Sequence, residues 1–402
     1  MQAPRGTFDV LPDEGARRAK LRRLCEEVLA EYGPIETPVF ESTELFERGV
    51  GATTDIVEKE MFTFDDQGGR SVSLRPEGTA GVCRAYLEHG MHKLPQPVKV
   101  SYWGPFFRYE APQAGRYRQF TQVGIEAIGS DDPSLDAEAI LRLAELLDRA
   151  RVHSPRLRIS SLGTPAARRA YSDELRDHLR AREDQLSDDV RARLDRNPLR
   201  AFDSDHEGTR AAVADAPRLL DRLSDEDAEH FATVRGLLDA AGQQYEVDST
   251  LVRGLDYYTR TVFEFSSDAL GAQSQLGGGG RYDGLIEQLG GPHTPGVGWA
   301  AGIERILLAG ELQPDESPPR VFIAYTRHPD VAFRLRETLR ESGVAAEIEQ
   351  AGRSLKGQLK QANRRGAAYT VILGDDGVQL KDMATGDQRA LESADDVLEA
   401  LR

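Results

Sequence analysis

Residues 98–128 read VKVSYWGPFFRYEAPQAGRYRQFTQVGIEAI, and the reading of this stretch decides the fold. Apolar and aromatic side chains recur at every second position, the period at which strand side chains share a face. Phe106, Arg108 and Glu110 fall on one face of the first arm, with Phe107 and Tyr109 on the other. Residues 111–115 (APQAG) turn the chain back. On the return arm Phe120, Gln122, Gly124, Glu126 and Ile128 share a face, opposed by Val123 and Ile125. The pattern predicts an antiparallel hairpin with Arg108 and Glu110 on one arm and Gln122 and Glu126 on the other. Gly124, set between two polar residues, has two readings. It leaves a recess where a ligand approaches the backbone, or it belongs to the polar alternation of a solvent-facing strand.

Upstream, Leu21, Leu24, Val28 and Leu29 recur at helical spacing within residues 13–32, and Gly33-Pro34 ends that helix. Downstream, residues 164–245 are rich in Ala, Arg and Asp and poor in β-branched residues, which predicts a helical insertion. Strand character returns at 246–265, and 298–308 carries a helical pattern. Residues 312–320 (LQPDESPPR) read as an interdomain linker. Beyond it, strands at 321–325, 344–348 and 368–373 alternate with helices at 329–342 and 354–365, a small α/β domain with a largely parallel sheet. The expected domains are therefore residues 1–317 and 318–402.

The chain has 402 residues, 39% of them hydrophobic, enough for two or three separate cores. No apolar run approaches the ~20 residues that span a bilayer, and the first residues lack a basic-then-apolar leader pattern. Cys25 and Cys83 stand far apart with no CxxC, which excludes a thiolate zinc site and suggests a reducing cytoplasm. A net charge of −16 argues against coating nucleic acid non-specifically, so a polyanionic partner would have to meet local patches.

Six arginines, Arg108, Arg116, Arg118, Arg253, Arg281 and Arg305, sit in Gly- or aromatic-rich segments and are candidate phosphate ligands, because the guanidinium fork matches phosphate oxygens. The glycines at 277–280 and 296–298 match neither a P-loop nor, without a preceding apolar strand, a dinucleotide fingerprint. They leave a glycine-lined approach to a flat or anionic ligand, or ordinary turns. No HExxH and no GxSxG occurs, so neither a protein metal cage nor a serine nucleophile is expected. Arg353, Lys356, Lys360 and Arg364 line one side of a predicted helix in a stretch without acids. That stripe is either a phosphate-backbone contact or a solvated face.

Taken together, the blocks PRGTFD (4–9), LRPEGTAG (74–81), FRYEAPQAGRYRQF (107–120), LVRGLDYYTRTVFE (251–264), GGRYDGL (279–285) and GVGWAAGIERILL (296–308) resemble the histidyl-tRNA synthetase family of class II synthetases. IETPVFE (35–41) resembles the first class II motif. The resemblance implies an α+β fold: an antiparallel six-stranded catalytic sheet with a helical insertion, followed by an α/β anticodon-binding domain. It implies a cytoplasmic homodimer, with no membrane association, that joins L-histidine to ATP and transfers it to tRNA(His). By the same resemblance Arg108 and Arg253 are catalytic, and Arg108, Glu110, Arg116, Arg253 and Arg305 bind ATP. Glu77, Gly78, Thr79, Arg108, Gln122, Glu126, Arg253, Tyr257 and Tyr258 bind histidine. Gln113, Arg353, Lys356, Lys360 and Arg364 bind tRNA. No protein metal site is implied, Mg²⁺ being held mainly by the ATP phosphates. Ala111 departs from the family, where a basic residue is usual. The rival readings are a non-catalytic regulatory relative of ATP phosphoribosyltransferase and a module that only senses tRNA. The LVRGLDYY block and the C-terminal domain argue against the first, and the intact site positions against the second.

Overall fold

The computed structural model describes residues 1–402 except 52–53, 252–253, 272–273, 315–319, 376 and 402. The chain divides into two compact units, Met1–Pro314 and Asp315–Arg402.

In the first unit, among the described residues, eight strands form one sheet. Their order is Gly33–Pro34, Val98–Phe107, Gln119–Ile128, Gly296–Gly302, Gln275–Arg281, Thr259–Ser266, Arg156–Ser161 and Glu246–Val247. The six inner strands pair antiparallel, as the expected catalytic sheet requires, and the two-residue edge strands add parallel pairs. Strand Val98–Phe107 alternates strictly between buried and half-buried residues. Its pairing sets Val100 opposite Glu126, Tyr102 opposite Gly124 and Gly104 opposite Gln122, so even-numbered residues of both arms share a face. The odd-numbered face packs Val123, Ile125 and Ala127 against helices Pro12–Val28 and Pro133–Arg149. The even-numbered face carries the second core and the site. Helix Pro133–Arg149 starts as its sequence dictates, with the Asp132 side chain accepting from the Ser134 N–H and proline in the first turn.

Two expectations are corrected here. Residues 298–302 are not helical: Gly296–Gly302 is a central strand, and the helix is Ile303–Ala309. Alanine favours a helix, but Val297, Trp299 and Ala301 must reach the core at period two, and tertiary packing overrides the propensity. Of residues 246–265 only Glu246–Val247 and Thr259–Ser266 are strands; described residues between them form loop.

Helices Pro165–Arg180, Asp188–Arg193, Glu207–Ala214 and Asp225–Ala240 occupy the expected insertion, capped at their N-termini by Thr164, Ser187, His206 and Ser224. A small antiparallel sheet of Phe40–Ser42, Ser71–Leu74 and Thr63–Asp65 was not foreseen. Leu312 is buried in the core of the first unit, so the linker reading fails at its N-terminal end; residues 315–319 lie outside the described residues.

The second unit holds a five-stranded sheet in the order Ala345–Ile348, Arg320–Tyr325, Tyr369–Gly374, Gly377–Asp382, Gln388–Leu391. The first three are parallel, and the last two add antiparallel. The sheet is thus mixed and not largely parallel. Strand Gly377–Asp382 offers only Val378 and Leu380 at period two, and Gln388–Leu391 is mostly polar, so the apolar signal there is weak.

Candidate active site

A cavity of about 580 Å³ opens on the even-numbered face of the central hairpin. Its wall contains Glu77, Gly78, Thr79, Arg108, Glu110, Arg116, Gln122, Tyr257, Tyr258 and Arg305, so most positions expected to hold histidine and ATP converge there. Arg253 lies outside the described residues.

One end is built from carboxylates and hydroxyls. Glu77 precedes helix Thr79–Glu88, and its carboxylate accepts the backbone N–H groups of Thr79 (2.7 Å) and Ala80 (2.9 Å). Burial nonetheless pushes its pKa upward. The Tyr257 hydroxyl donates to Glu77 at 3.4 Å, and Tyr257 and Tyr258 meet edge to face with ring centroids 4.8 Å apart. Gln122 Oε1 is buried with no hydrogen-bond partner among the described residues. Glu126 lies behind this wall, fully buried, accepting from Thr79 Oγ1 (2.7 Å) and Tyr282 Oη (2.6 Å). Burial pushes its carboxyl up to about 8, against the pull of those two hydrogen bonds. The glycine strand serves this acid: a Cβ at Gly298 would stand 1.9 Å from Glu126 Oε2.

Of the two readings of Gly124, an open recess fails, because the space is filled. A Cβ there would lie 2.3 Å from Tyr102 Cζ, and one at Gly78 2.6 Å from the same atom. Both glycines make room for the Tyr102 ring, which itself enters the wall. Tyr102 was overlooked, although its parity with Phe106 and Arg108 was the available signal. Tyr282, inside the GGRYDGL block, had no comparable one.

The other end is cationic. Arg108 Nε donates to the Pro76 carbonyl at 2.9 Å and its guanidinium sits 5.5 Å from the Phe120 ring centroid. Arg116 pairs with Glu110 at 3.0 Å. Arg305 donates to the carbonyls of Gln275 and Gly115. Burial first, and the charge of Arg116 second, hold the Arg305 guanidinium down to about 10. An incoming anion relieves both.

Arg118 and Arg281 are absent from the wall. Arg118 stacks 3.6 Å from the Tyr109 ring centroid. Arg281 is fully buried, bound to Asp136 (2.7 Å), Asp283 (3.2 Å) and the carbonyls of Ser130 and Asp132. Its carboxylate partner on helix Pro133–Arg149 is invisible to local sequence reading. Gln113 is exposed in the hairpin loop, bridged to Arg116.

In the second unit Lys356, Lys360 and Arg364 are exposed at intervals of one helical turn on Leu355–Arg364. Arg353 does not share that helix: it precedes the N-terminal Ser354, and its guanidinium turns to Glu349 at 3.0 Å. A second cavity, of about 350 Å³, is lined by Arg336, Arg340, Arg353 and Arg365 together with Glu347 and Glu349, which pair with Arg365 and Arg353. Among the described residues no helix is long and apolar enough to cross a membrane, and no group of three or more His, Cys, Asp or Glu could hold a metal.

Comparison with known proteins follows this geometry. The family model described as Histidyl-tRNA synthetase matches residues 6–306, and that described as Anticodon binding domain matches residues 320–402. The chain is 48% identical to the histidine–tRNA ligase of Desulforamulus reducens over 408 residues, covering 98% of this chain and 97% of that protein. It is 48% identical to the histidine–tRNA ligase of Halothermothrix orenii over 401 residues, 96% of each. The apo histidyl-tRNA synthetase structure from S. aureus superposes with a TM-score of 0.83 at 37% identity, covering 100% of this chain and 99% of that one. A synthetase match over the unit that holds the cavity, an anticodon-domain match over the other, and relatives of nearly equal length together establish that this chain belongs to the histidyl-tRNA synthetase family.

Proposed function

We propose that the protein activates L-histidine with ATP to histidyl-adenylate and pyrophosphate, then esterifies the 3′-terminal adenosine of tRNA(His). The observation that carries the site assignment is the single cavity with a buried carboxylate–hydroxyl end and an arginine end. A carboxylate oxygen of histidine attacks the α-phosphorus, the bond to the β-phosphate bridging oxygen breaks, and pyrophosphate leaves. A ribose hydroxyl of the tRNA then attacks the acyl carbon and AMP leaves. No protein nucleophile is needed, so catalysis is positioning and charge stabilisation.

Glu77, with Thr79 and Gln122, holds the α-ammonium of histidine, and that ammonium offsets the cost of Glu77 as a buried anion. Gly78 keeps side-chain bulk from this end. Tyr258 reads the imidazole with Tyr257 beside it, and Glu126, behind the wall, acts on that recess through its bonds to Thr79 and Tyr282. Arg108 binds the α-phosphate and the substrate carboxylate, Arg305 and Arg116 take the outer phosphates, and Glu110 meets the adenine side. For Arg253 the role of α-phosphate ligand rests on sequence resemblance. The wall carboxylates Glu264 and Glu304 already pair with Arg158 (2.7 Å) and Arg18 (3.0 Å), which fits Mg²⁺ held mainly by the ATP phosphates. When bound, the ion offsets charge on the phosphate oxygens.

The basic helix face, with the arginine-lined cavity of the second unit, supports tRNA contact there, and Gln113 a contact at the acceptor end. Exposed Phe40 and Phe64 on the small sheet, with exposed Val39 just before it, support a homodimer joined through the segment around Pro38. Two buried free cysteines support a cytoplasmic location. The test is charging of tRNA(His) by the purified chain with labelled histidine and ATP. Charging confined to histidine is expected, whereas histidine binding without charging would overturn the reading.

A further inference from the structure

We infer that Arg168, a side chain of the helical insertion, is a positioning residue for the histidine pocket, its guanidinium spanning the backbone on both sides of Tyr257. This rests on the assignment of the cavity's buried end to histidine.

Arg168 stands in the first turn of helix Pro165–Arg180. Nη1 donates to the Tyr258 carbonyl at 2.8 Å and Nη2 to the Asp256 carbonyl at 2.9 Å. Two carbonyls two residues apart are met by the two ends of one planar fork, a geometry a lysine ammonium cannot reproduce. Tyr257, between them, reaches Glu77 with its hydroxyl, and Tyr258 packs edge-on against it. The bonds go to a loop without strand or helix ladder of its own, so the conformation of the tyrosine pair is delegated to a residue outside the catalytic sheet.

The base of the fork is itself fixed. The Thr164 N–H donates to Asp227 Oδ2 at 3.0 Å, and Arg260 Nε donates to Asp227 Oδ1 at 3.0 Å. The Arg260 N–H closes onto the Gly163 carbonyl at 2.8 Å. The start of the insertion is thereby fastened to strand Thr259–Ser266 and helix Asp225–Ala240, and Arg168 transmits that placement to the pocket. Half-buried guanidinium bonds of this kind order a backbone segment because a lost partner leaves charge and carbonyls unpaired. The insertion is, on this account, a structural part of the amino-acid pocket in addition to any contact with tRNA.

The experiment is pyrophosphate exchange by the full chain carrying Arg168→Met, Arg168→Lys, or Arg169→Ala at the exposed neighbouring position, with KM measured separately for histidine and ATP. Arg168→Met is expected to raise the KM for histidine by about 10- to 100-fold, the scale on which a displacement of about an ångström in a positioned site is felt, while the KM for ATP moves by less than about twofold. Arg168→Lys, able to keep one of the two bonds, falls between, and Arg169→Ala matches the parent. A folded Arg168→Met with unchanged histidine KM, or with both KM values raised equally, overturns the inference. If Arg168→Met does not fold, Arg168→Lys decides: a selective rise in histidine KM supports it, and no rise overturns it. A parent chain with no histidine-dependent exchange would overturn the underlying assignment instead.

Discussion

At the end of the cavity assigned to histidine, both carboxylates have protein donors, Thr79 and Tyr282 on Glu126 and two backbone N–H groups and Tyr257 on Glu77, while Gln122 Oε1 has no partner among the described residues. At the end assigned to phosphate, Arg116 and Arg305 stand close enough for one to depress the other's pKa, and Arg108 and Arg116 share the single carboxylate of Glu110, at 3.9 and 3.0 Å. The first end holds its carboxylates with donors of the protein; at the second, burial and a neighbouring arginine act against the charge of Arg305, which an anion offsets. On the proposed assignment, specificity and charge stabilisation sit in different parts of one cavity and fail in different ways. A wrong amino acid leaves buried groups unpaired, which costs far more than a lost methylene contact.

Several substitutions separate the two ends. Arg108→Ala should have the largest effect, lowering exchange by about 10²–10³ in kcat, the usual loss for one preorganised charge-stabilising donor. An unaltered rate would remove Arg108 from the phosphate end. Gly298→Ala attacks the other end: its Cβ would meet Glu126 Oε2 at 1.9 Å and the Ile125 carbonyl at 2.3 Å. A stability loss of about 1–3 kcal/mol in chemical denaturation is expected, and parent-like unfolding would mean that Glu126 sits elsewhere.

A graded effect is expected from pH. Burial lifts the folded Glu126 carboxyl from its ordinary 4.5 to about 8. Between those values the folded chain keeps a proton that the unfolded chain has lost, so this group's stabilising share is full below the ordinary value and declines as pH rises through the window. The stability difference between parent and Glu126→Gln should therefore move against the parent from acid to mildly alkaline pH. A flat difference would show that the carboxyl is not held neutral. The smallest effect is expected far from the cavity. Lys356→Glu with Lys360→Glu should reduce the salt slope of tRNA binding by roughly one unit per lysine and leave exchange untouched.

What was legible in the sequence was local. Parity along residues 98–128 gave the hairpin, its faces and Arg108, because a strand's period needs no partner to be read. Periodicity also gave the insertion and the first three strands of the second unit. What depends on distant partners was not legible. Arg281 resembles the other arginines until Asp136 is brought against it, and Gly124 resembles an open recess until Tyr102 crosses it. Residues 298–302 carry helix-favouring alanines, yet their place between two strands makes them strand. Arg353 matched the spacing of the basic stripe, but the helix starts after it and Glu349 takes its charge. Arg168 gave no motif at all, since its partners are carbonyls.

The claim that one end of the cavity reads a ring nitrogen while the other handles phosphate is tested most directly by pyrophosphate exchange with histidine and with 3-(2-thienyl)alanine, which keeps the ring size but has no nitrogen in the ring. The account predicts robust exchange with histidine and a loss on the order of 10⁴ with the analogue, as for pockets built around a required hydrogen bond. Comparable exchange with both would contradict it.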